Sequence, residues 1–290
     1  MPPQSNSSDL PSTSVSSRVQ SIYIVRHGDR WDYTHPEWKQ SANTKRKGDP
    51  SLSQLGHEQA RQVGRYFDKL FTKENVAAEN ITLLSSPFLR TIQTSNELLG
   101  QMKNTQGEKD DTIKIKPEYS IFELDLWGQG LHESLPSMEE RECYFPRIDS
   151  SYETLFVPTL PESKETFFDR CDEAMDQIGK AYPCEEEKNQ VLILVSHAAL
   201  CIGLVKSATG CELEEINPAA PCSIYKITRA SSDDKWSIDH HSIDDGMNGF
   251  TSHMKDIGTC TRPWNNFHTR CDENPRGYSG PQGKEVDNDQ

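Results

Sequence analysis

The apolar positions of this chain fall into short blocks of two different periods. Ile22-Tyr23-Ile24-Val25 and Val191-Leu192-Ile193-Leu194-Val195 are continuous runs rich in β-branched residues. Such runs predict strands over 21–26 and 190–195 that are buried on both faces, as in a parallel sheet. Ile81–Leu84 predicts another strand, and Ile113–Lys116 alternates as an edge strand does. Between these runs the spacing becomes helical. Ser51 or Ser53 opens a helix with Leu55, Gln59, Val63, Tyr66, Phe67 and Leu70 on its packing face. A second helix is predicted over Phe88–Leu99. A third runs from Glu162 or Ser163 to about Ala181, with Phe167, Phe168, Cys171, Ala174, Met175 and Ile178 inward. A fourth follows over 198–208. Segments 223–228 and 235–240 predict a closing hairpin. Strands that alternate with helices imply the α/β class, with a mostly parallel sheet.

The ends of the chain lack these periods. Residues 1–20, rich in Ser and Pro, predict a disordered N-terminal segment, and 245–290 an irregular tail partly anchored by Trp264 and Phe267. The regular pattern occupies 21–244. Within it, 124–161 has few regular signals and is expected to cover the carboxyl end of the sheet as an insertion. Tyr33–Ser51 is a polar loop longer than an ordinary connection, which suggests a rim or lid. Polar ends and loops account for a hydrophobic content of only 33%.

The net charge of −14 argues against a nucleic-acid-binding face. It leaves room for an anionic substrate at a local arginine cluster. No stretch of about 18 apolar residues is present, so a membrane span is not expected. The first ten residues hold no apolar run of a secretory signal. The eight cysteines form no CxxC pair and suit reduced thiols in a cytoplasmic or nuclear protein. His240-His241 lacks a third ligand within reach, and Glu185-Glu186-Glu187 reads as a solvated loop.

Candidate chemistry gathers where the two longest runs end. Each ends in a histidine followed by a small residue, His27-Gly28 and His197-Ala198. Open α/β sheets bind ligands at the carboxyl ends of their strands, so both imidazoles are expected in one crevice. A neutral histidine with one ring nitrogen free is a nucleophile toward phosphorus. Arg26 and Arg30 beside it would bind a phosphate and hold the ring unprotonated. Gly28 would let the backbone approach the anion. Arg90, in the first turn of a helix after Ser85-Ser86-Pro87, would join them. A structural histidine next to surface arginines would explain the same residues one at a time. A proton donor is also required. Glu123, flanked by apolar residues that would raise its pKa, is the first candidate, with Asp125 and Glu133 as rivals. Trp31, Tyr33 and Trp38 either line the pocket or pack the loop.

Arg26-His27-Gly28, Ser86-Pro87, Arg90, Gln93-Thr94 and Val195-Ser196-His197 occur in an order that resembles the histidine phosphatase superfamily, the phosphoglycerate-mutase-like branch. The likeness covers about 21–229. It is most similar to the phosphatase domains of the suppressor-of-T-cell-receptor-signalling and ecdysteroid-phosphate phosphatase groups, through Ile121-Phe122-Glu123, Leu160-Pro161-Glu162-Ser163, Phe168-Asp169-Arg170-Cys171 and Arg30. The resemblance implies a three-layer α/β/α fold. It implies a phosphomonoesterase in which His27 becomes phosphohistidine, and Arg26, Arg30, Arg90 and His197 bind the phosphate. Glu123 would be the proton donor, with no metal or cofactor. A phosphomutase and a catalytically silent binding module are the alternatives on this fold. The implied partners are a phosphorylated small molecule or phosphoprotein and a second copy of the chain, with no nucleic acid or membrane.

Overall fold

A computed structural model describes residues 19–33, 35, 37, 48–103, 111–125, 135–185 and 188–239 of this chain. The expectations for 1–18, the 245–290 tail, Trp38, Glu133 and His240-His241 lie outside those residues.

The two longest apolar runs become adjacent strands. Strand β1 (Gln20–Arg26) pairs in parallel with β4 (Val191–Ser196), in a register that sets Arg26 beside Ser196. On the far side of β4 lies β2 (Ile81–Ser85), also parallel, followed by the edge strand β3 (Ile115–Pro117). On the far side of β1, β5 (Ile224–Arg229) runs antiparallel and carries the two-residue β6 (Ser237–Ile238). The order β3-β2-β4-β1-β5-β6 is the expected mostly parallel sheet with an antiparallel hairpin at one edge.

Side chains of a strand alternate between faces, and the helices divide accordingly. Tyr23 and Val25 join Ile193 and Val195 beneath α1 (Gln54–Lys73) and α2 (Leu89–Leu99). Ile22 and Ile24 join Leu192 and Leu194 beneath α4 (Lys164–Ala181) and α5 (Ala198–Thr209). The result is the three-layer α/β/α arrangement.

The stripe on α1 follows the expected spacing with one exception. Leu55, at the margin of the stripe, is exposed. Gly56 makes the contact instead, packing against the backbone of Asp29. Helix α2 begins one residue later than the periodicity suggests, because Phe88 has extended backbone and stands at the cap. Helix α5 is buried over eight consecutive residues and so lacks a polar face. The insertion contributes α3 (Met138–Glu142), and Ile148 bridges Ile115 on the edge strand. Among the described residues, no helix is long and apolar enough to cross a membrane.

Gly203 marks the tightest contact between α4 and α5. A methyl group there would stand 2.6 Å from Cys171 Sγ and 3.0 Å from the Phe167 ring. Overpacking of a dense core costs about 1–3 kcal/mol. Gly203→Ala is therefore expected to lower stability by about that amount in urea unfolding, and adding Cys171→Ala is expected to restore part of it. Unchanged stability of Gly203→Ala would show that α4 and α5 separate freely.

Candidate active site

The parallel ladder places the two histidines side by side. His27 and His197 directly follow the paired residues Arg26 and Ser196, and the His27 N–H donates to Ser196 O at 2.9 Å. Their ring centroids lie 5.4 Å apart. The next parallel strand, β2, delivers Ser86 in the same row, with its N–H on Val195 O and its hydroxyl 2.9 Å from His197 Nε2. Three adjacent strand ends thus present Ser86, His197 and His27 as a line, and all three residues are buried.

His27 Nδ1 lies 2.7 Å from Gly28 O. A carbonyl only accepts, so Nδ1 bears the proton and Nε2 keeps its lone pair. Burial, then the charges of Arg90 and Arg26, hold the His27 pKa well below 6.5. The ring is an unprotonated base at neutral pH.

The arginines are individually anchored. Arg26 Nη1 donates to Ala219 O at 2.8 Å. Arg30 forms a two-pronged pair with buried Asp32, at 2.9 and 2.7 Å, and stands 4.8 Å over the Tyr33 ring. Arg90 Nη2 reaches Glu123 Oε2 and His197 Nδ1, both at 3.1 Å. Phe88 lies under the Arg90 guanidinium at 4.3 Å. Arg90 is also held from outside by Gly48 O and by the Asp49 carboxylate. Asp49 was not singled out by the sequence. Its Oδ1 caps α2 through the Leu89 N–H at 2.7 Å, and its Oδ2 binds Arg141 of α3. The signal available was weak: an acid beside a proline at the end of a polar loop.

The structure brings Glu123 and not Asp125 into this group. Ligand atoms of His27, Glu123 and His197 lie within 4.8 Å of one another. Asp125 pairs by its backbone with Glu162. Two parts of the Glu123 expectation need correction. Its neighbours in sequence are apolar, but its neighbours in space are not. Burial alone would raise its pKa, yet His197, Arg90 and Arg30 outweigh burial and hold the carboxyl below the usual range. Glu123 is ionised before an anion binds. His197 is lowered as well, to about 4, through burial and Arg90 against the pull of Glu123. His197 is therefore neutral near pH 7, and the guanidinium charges keep Glu123 ionised.

Gly28 also has a packing role that the sequence did not suggest. A Cβ on Gly28 would sit 2.5 Å from Gly56 O, and one on Gly56 would sit 2.1 Å from Asp29 O. The glycine serves the fit of the loop against α1. The rest of that loop is fixed by its surroundings. Gln59 accepts the Asp29 N–H, the Ser53 hydroxyl donates to Asp29, and Thr94 accepts the Gly28 N–H. Gln93 accepts the Leu52 N–H. Of the loop aromatics, Trp31 stacks on His35 with centroids 3.5 Å apart, and Tyr33 packs on Arg30.

His27, Glu123 and His197 have the donor types of a metal site. Three guanidinium groups around them set a positive potential that disfavours a cation and suits an anion with several oxygens.

A model of the histidine phosphatase superfamily (branch 1) matches residues 22–244. The chain belongs to that superfamily. The chain is 26% identical over 219 residues to the ecdysteroid-phosphate phosphatase of Drosophila melanogaster, covering 65% of the chain and 27% of the fly protein. The chain thus spans about a quarter of that relative. It is 25% identical over 234 residues to the uncharacterized phosphatase PhoE of Bacillus subtilis, covering 80% of the chain and 99% of PhoE. Among solved structures, the ecdysone phosphate phosphatase of Bombix mori has the same fold, with a TM-score of 0.54 and 20% identity over 76% of this chain and 91% of that one.

Glu123 is held by a buried clasp behind it. Arg170 Nη1 donates to the carbonyls of Ser120 and Phe122 at 3.0 Å each, and its Nε and Nη2 pair with Glu162 at 2.8 and 2.5 Å. Removing one partner of a buried pair costs about 3–5 kcal/mol. Arg170→Met is expected to cost that much in chemical denaturation. Glu162→Met with Arg170→Met should recover most of the stability, yet leave the 120–123 turn without its anchor. Full function in the stable double variant would show that the clasp does not position Glu123.

Proposed function

We propose that this histidine phosphatase family member is a phosphomonoesterase acting through a phosphohistidine on His27. One observation supports the reading: buried His27 has its Nδ1 against the Gly28 carbonyl, which leaves Nε2 with its lone pair, and the charges of Arg90, Arg26 and Arg30 act on that ring. Those guanidinium groups offer charge-assisted bonds to phosphate oxygens and leave phosphorus open to attack.

In the first step Nε2 forms the P–N bond as the ester P–O bond breaks. Arg26, Arg30 and Arg90 hold the non-bridging oxygens. A phosphate oxygen takes the place of Glu123 beside His197. The same anion occupies the arginines that keep Glu123 ionised, and its charge raises the carboxyl pKa. A substrate bound as the monoanion hands its proton to Glu123, which passes it to the leaving alkoxide. In the second step Glu123 takes a proton from water as that water attacks the phosphohistidine. The P–N bond breaks, Nε2 regains its lone pair, and phosphate leaves with the proton that Glu123 returns to it. The proposed substrate is a phosphorylated small molecule or phosphoprotein, and the site requires no metal or cofactor.

Two measurements test this. Rapid quench with a ³²P-labelled aryl phosphate should trap a phosphoprotein that is labile to acid and stable to alkali. His27→Ala should lose that label and about three orders of magnitude or more of phosphate release. Phosphate release by His27→Ala at the parental rate would overturn the assignment. Interconversion of 3-phosphoglycerate without phosphate release would favour the mutase.

The pH profile follows from the direction of the His27 shift. A pKa below 6.5 leaves the nucleophile unprotonated at and somewhat below that pH. Corrected for substrate ionisation, kcat/KM should stay level through pH 6.5 and fall only under more acidic conditions. An acid limb centred at or above pH 6.5 would contradict a buried, cation-flanked His27.

A further inference from the structure

Arg141 of α3 is a buried cation with no part in the proposed reaction. It is 3% exposed, and its Nη2 pairs with Asp49, itself 1% exposed. Its Nε and Nη1 are buried with no hydrogen-bond partner among the described residues, so Asp49 is what holds this guanidinium. A buried charge is kept only where it is compensated, and here one carboxylate compensates it.

Three positive groups share Asp49, at unequal distances. Its Oδ1 accepts the Leu89 N–H at 2.7 Å, at the positive end of α2. Its Oδ2 is taken by Arg141. Arg90 Nη1 stands 3.7 Å from Oδ1, beyond hydrogen-bond reach, and donates instead to Gly48 O at 3.3 Å. Asp49 therefore acts on Arg90 through charge alone, while its hydrogen bonds go elsewhere.

This division leaves Arg90 fit for an anion. Its Nη2 already serves Glu123 at 3.1 Å. A second carboxylate bonded to Nη1 would occupy both ends of the fork and cancel charge that a phosphate needs. Arg30 differs, because Asp32 takes its Nε and Nη2 and leaves the other end of the fork clear of that acid. Removing Asp49 altogether would leave Arg90 buried against the repulsion of Arg30.

Building on the phosphomonoesterase reading, we infer that Arg141 is a positioning residue of the phosphate site: it draws the Asp49 carboxylate away from Arg90 and leaves the Arg90 charge available to the phosphate. The insertion that carries α3 thus sets the affinity of the pocket through Asp49 rather than by contact with the anion.

Calorimetry with inorganic phosphate reads this effect without turnover. Arg141→Gln removes the competing cation. Asp49 is then expected to close on Arg90 and weaken phosphate binding about tenfold or more. Adding Asp49→Asn keeps an oxygen for the Leu89 N–H and removes the charge, so the double variant is expected to bind phosphate as tightly as the parent or more tightly. A purely structural Arg141 predicts the reverse, with the double variant binding no better than Arg141→Gln. Unchanged affinity in Arg141→Gln, or equal weakening in the single and double variants, would overturn the inference. If Arg141→Gln does not fold, the double variant carries the test, because it replaces the buried ion pair with a neutral one. Weaker binding than the parent in that variant would overturn the inference by itself.

The catalytic reading fails by a different result. If esters are not hydrolysed but phosphate affinity falls in Arg141→Gln and returns in the double variant, the positioning role stands and the catalytic reading falls. If the phosphohistidine forms and phosphate affinity is the same in parent and variants, the catalytic reading stands and the positioning role falls.

Discussion

The pairing of β1 with β4 is the constraint on which the site depends. Because the strands are parallel and in register at Arg26 and Ser196, the residues that follow them leave the sheet at the same height. Two histidines far apart in sequence become neighbours without any long-range side-chain bond having to find its partner. The ladder continues for one further step through the His27 N–H, which places His27 at the limit of regular structure. A one-residue slip would reverse the faces of the whole strand and bury the wrong half of its apolar run in each helical layer. The same apolar residues that stabilise the core therefore fix the position of the imidazoles.

Electrostatics sets the second condition. Arg30 has Asp32, and Arg90 has Glu123 and Asp49, within a region largely closed to water. An isolated buried charge would cost several kcal/mol, so the acids make the cations tolerable before any anion binds. They also hold the guanidinium planes in place, which reduces the reorganisation needed when an anion arrives. Glu123 differs from the other two acids because it contacts His197 as well as Arg90. It is the acid whose environment an anion competing for those partners would change most.

Most of the sheet, the four long helices, and five residues in contact or electrostatic reach of one another around His27 were legible in the sequence. Continuous β-branched runs, helical stripes and histidines at strand ends each have a direct physical meaning. Boundaries shifted where local geometry overruled composition, as at Phe88 and Leu55. The direction of the Glu123 shift was hidden because flanking residues do not report what approaches from distant segments. Asp49 was hidden for a similar reason: its partners Leu89, Arg90 and Arg141 come from α2 and α3. Glu162 and Arg170 were visible as parts of a family-like pattern, but their clasp on the Ser120 and Phe122 carbonyls appears only in three dimensions.

The contact between Gly28 and Gly56 carries a consequence for how such chains diverge. Each glycine leaves room for the main chain of the segment bearing the other, so neither can gain a side chain unless α1 withdraws from the loop that carries His27. The two positions form a single steric unit written in two places. A side chain at either position would push the first helix away from His27.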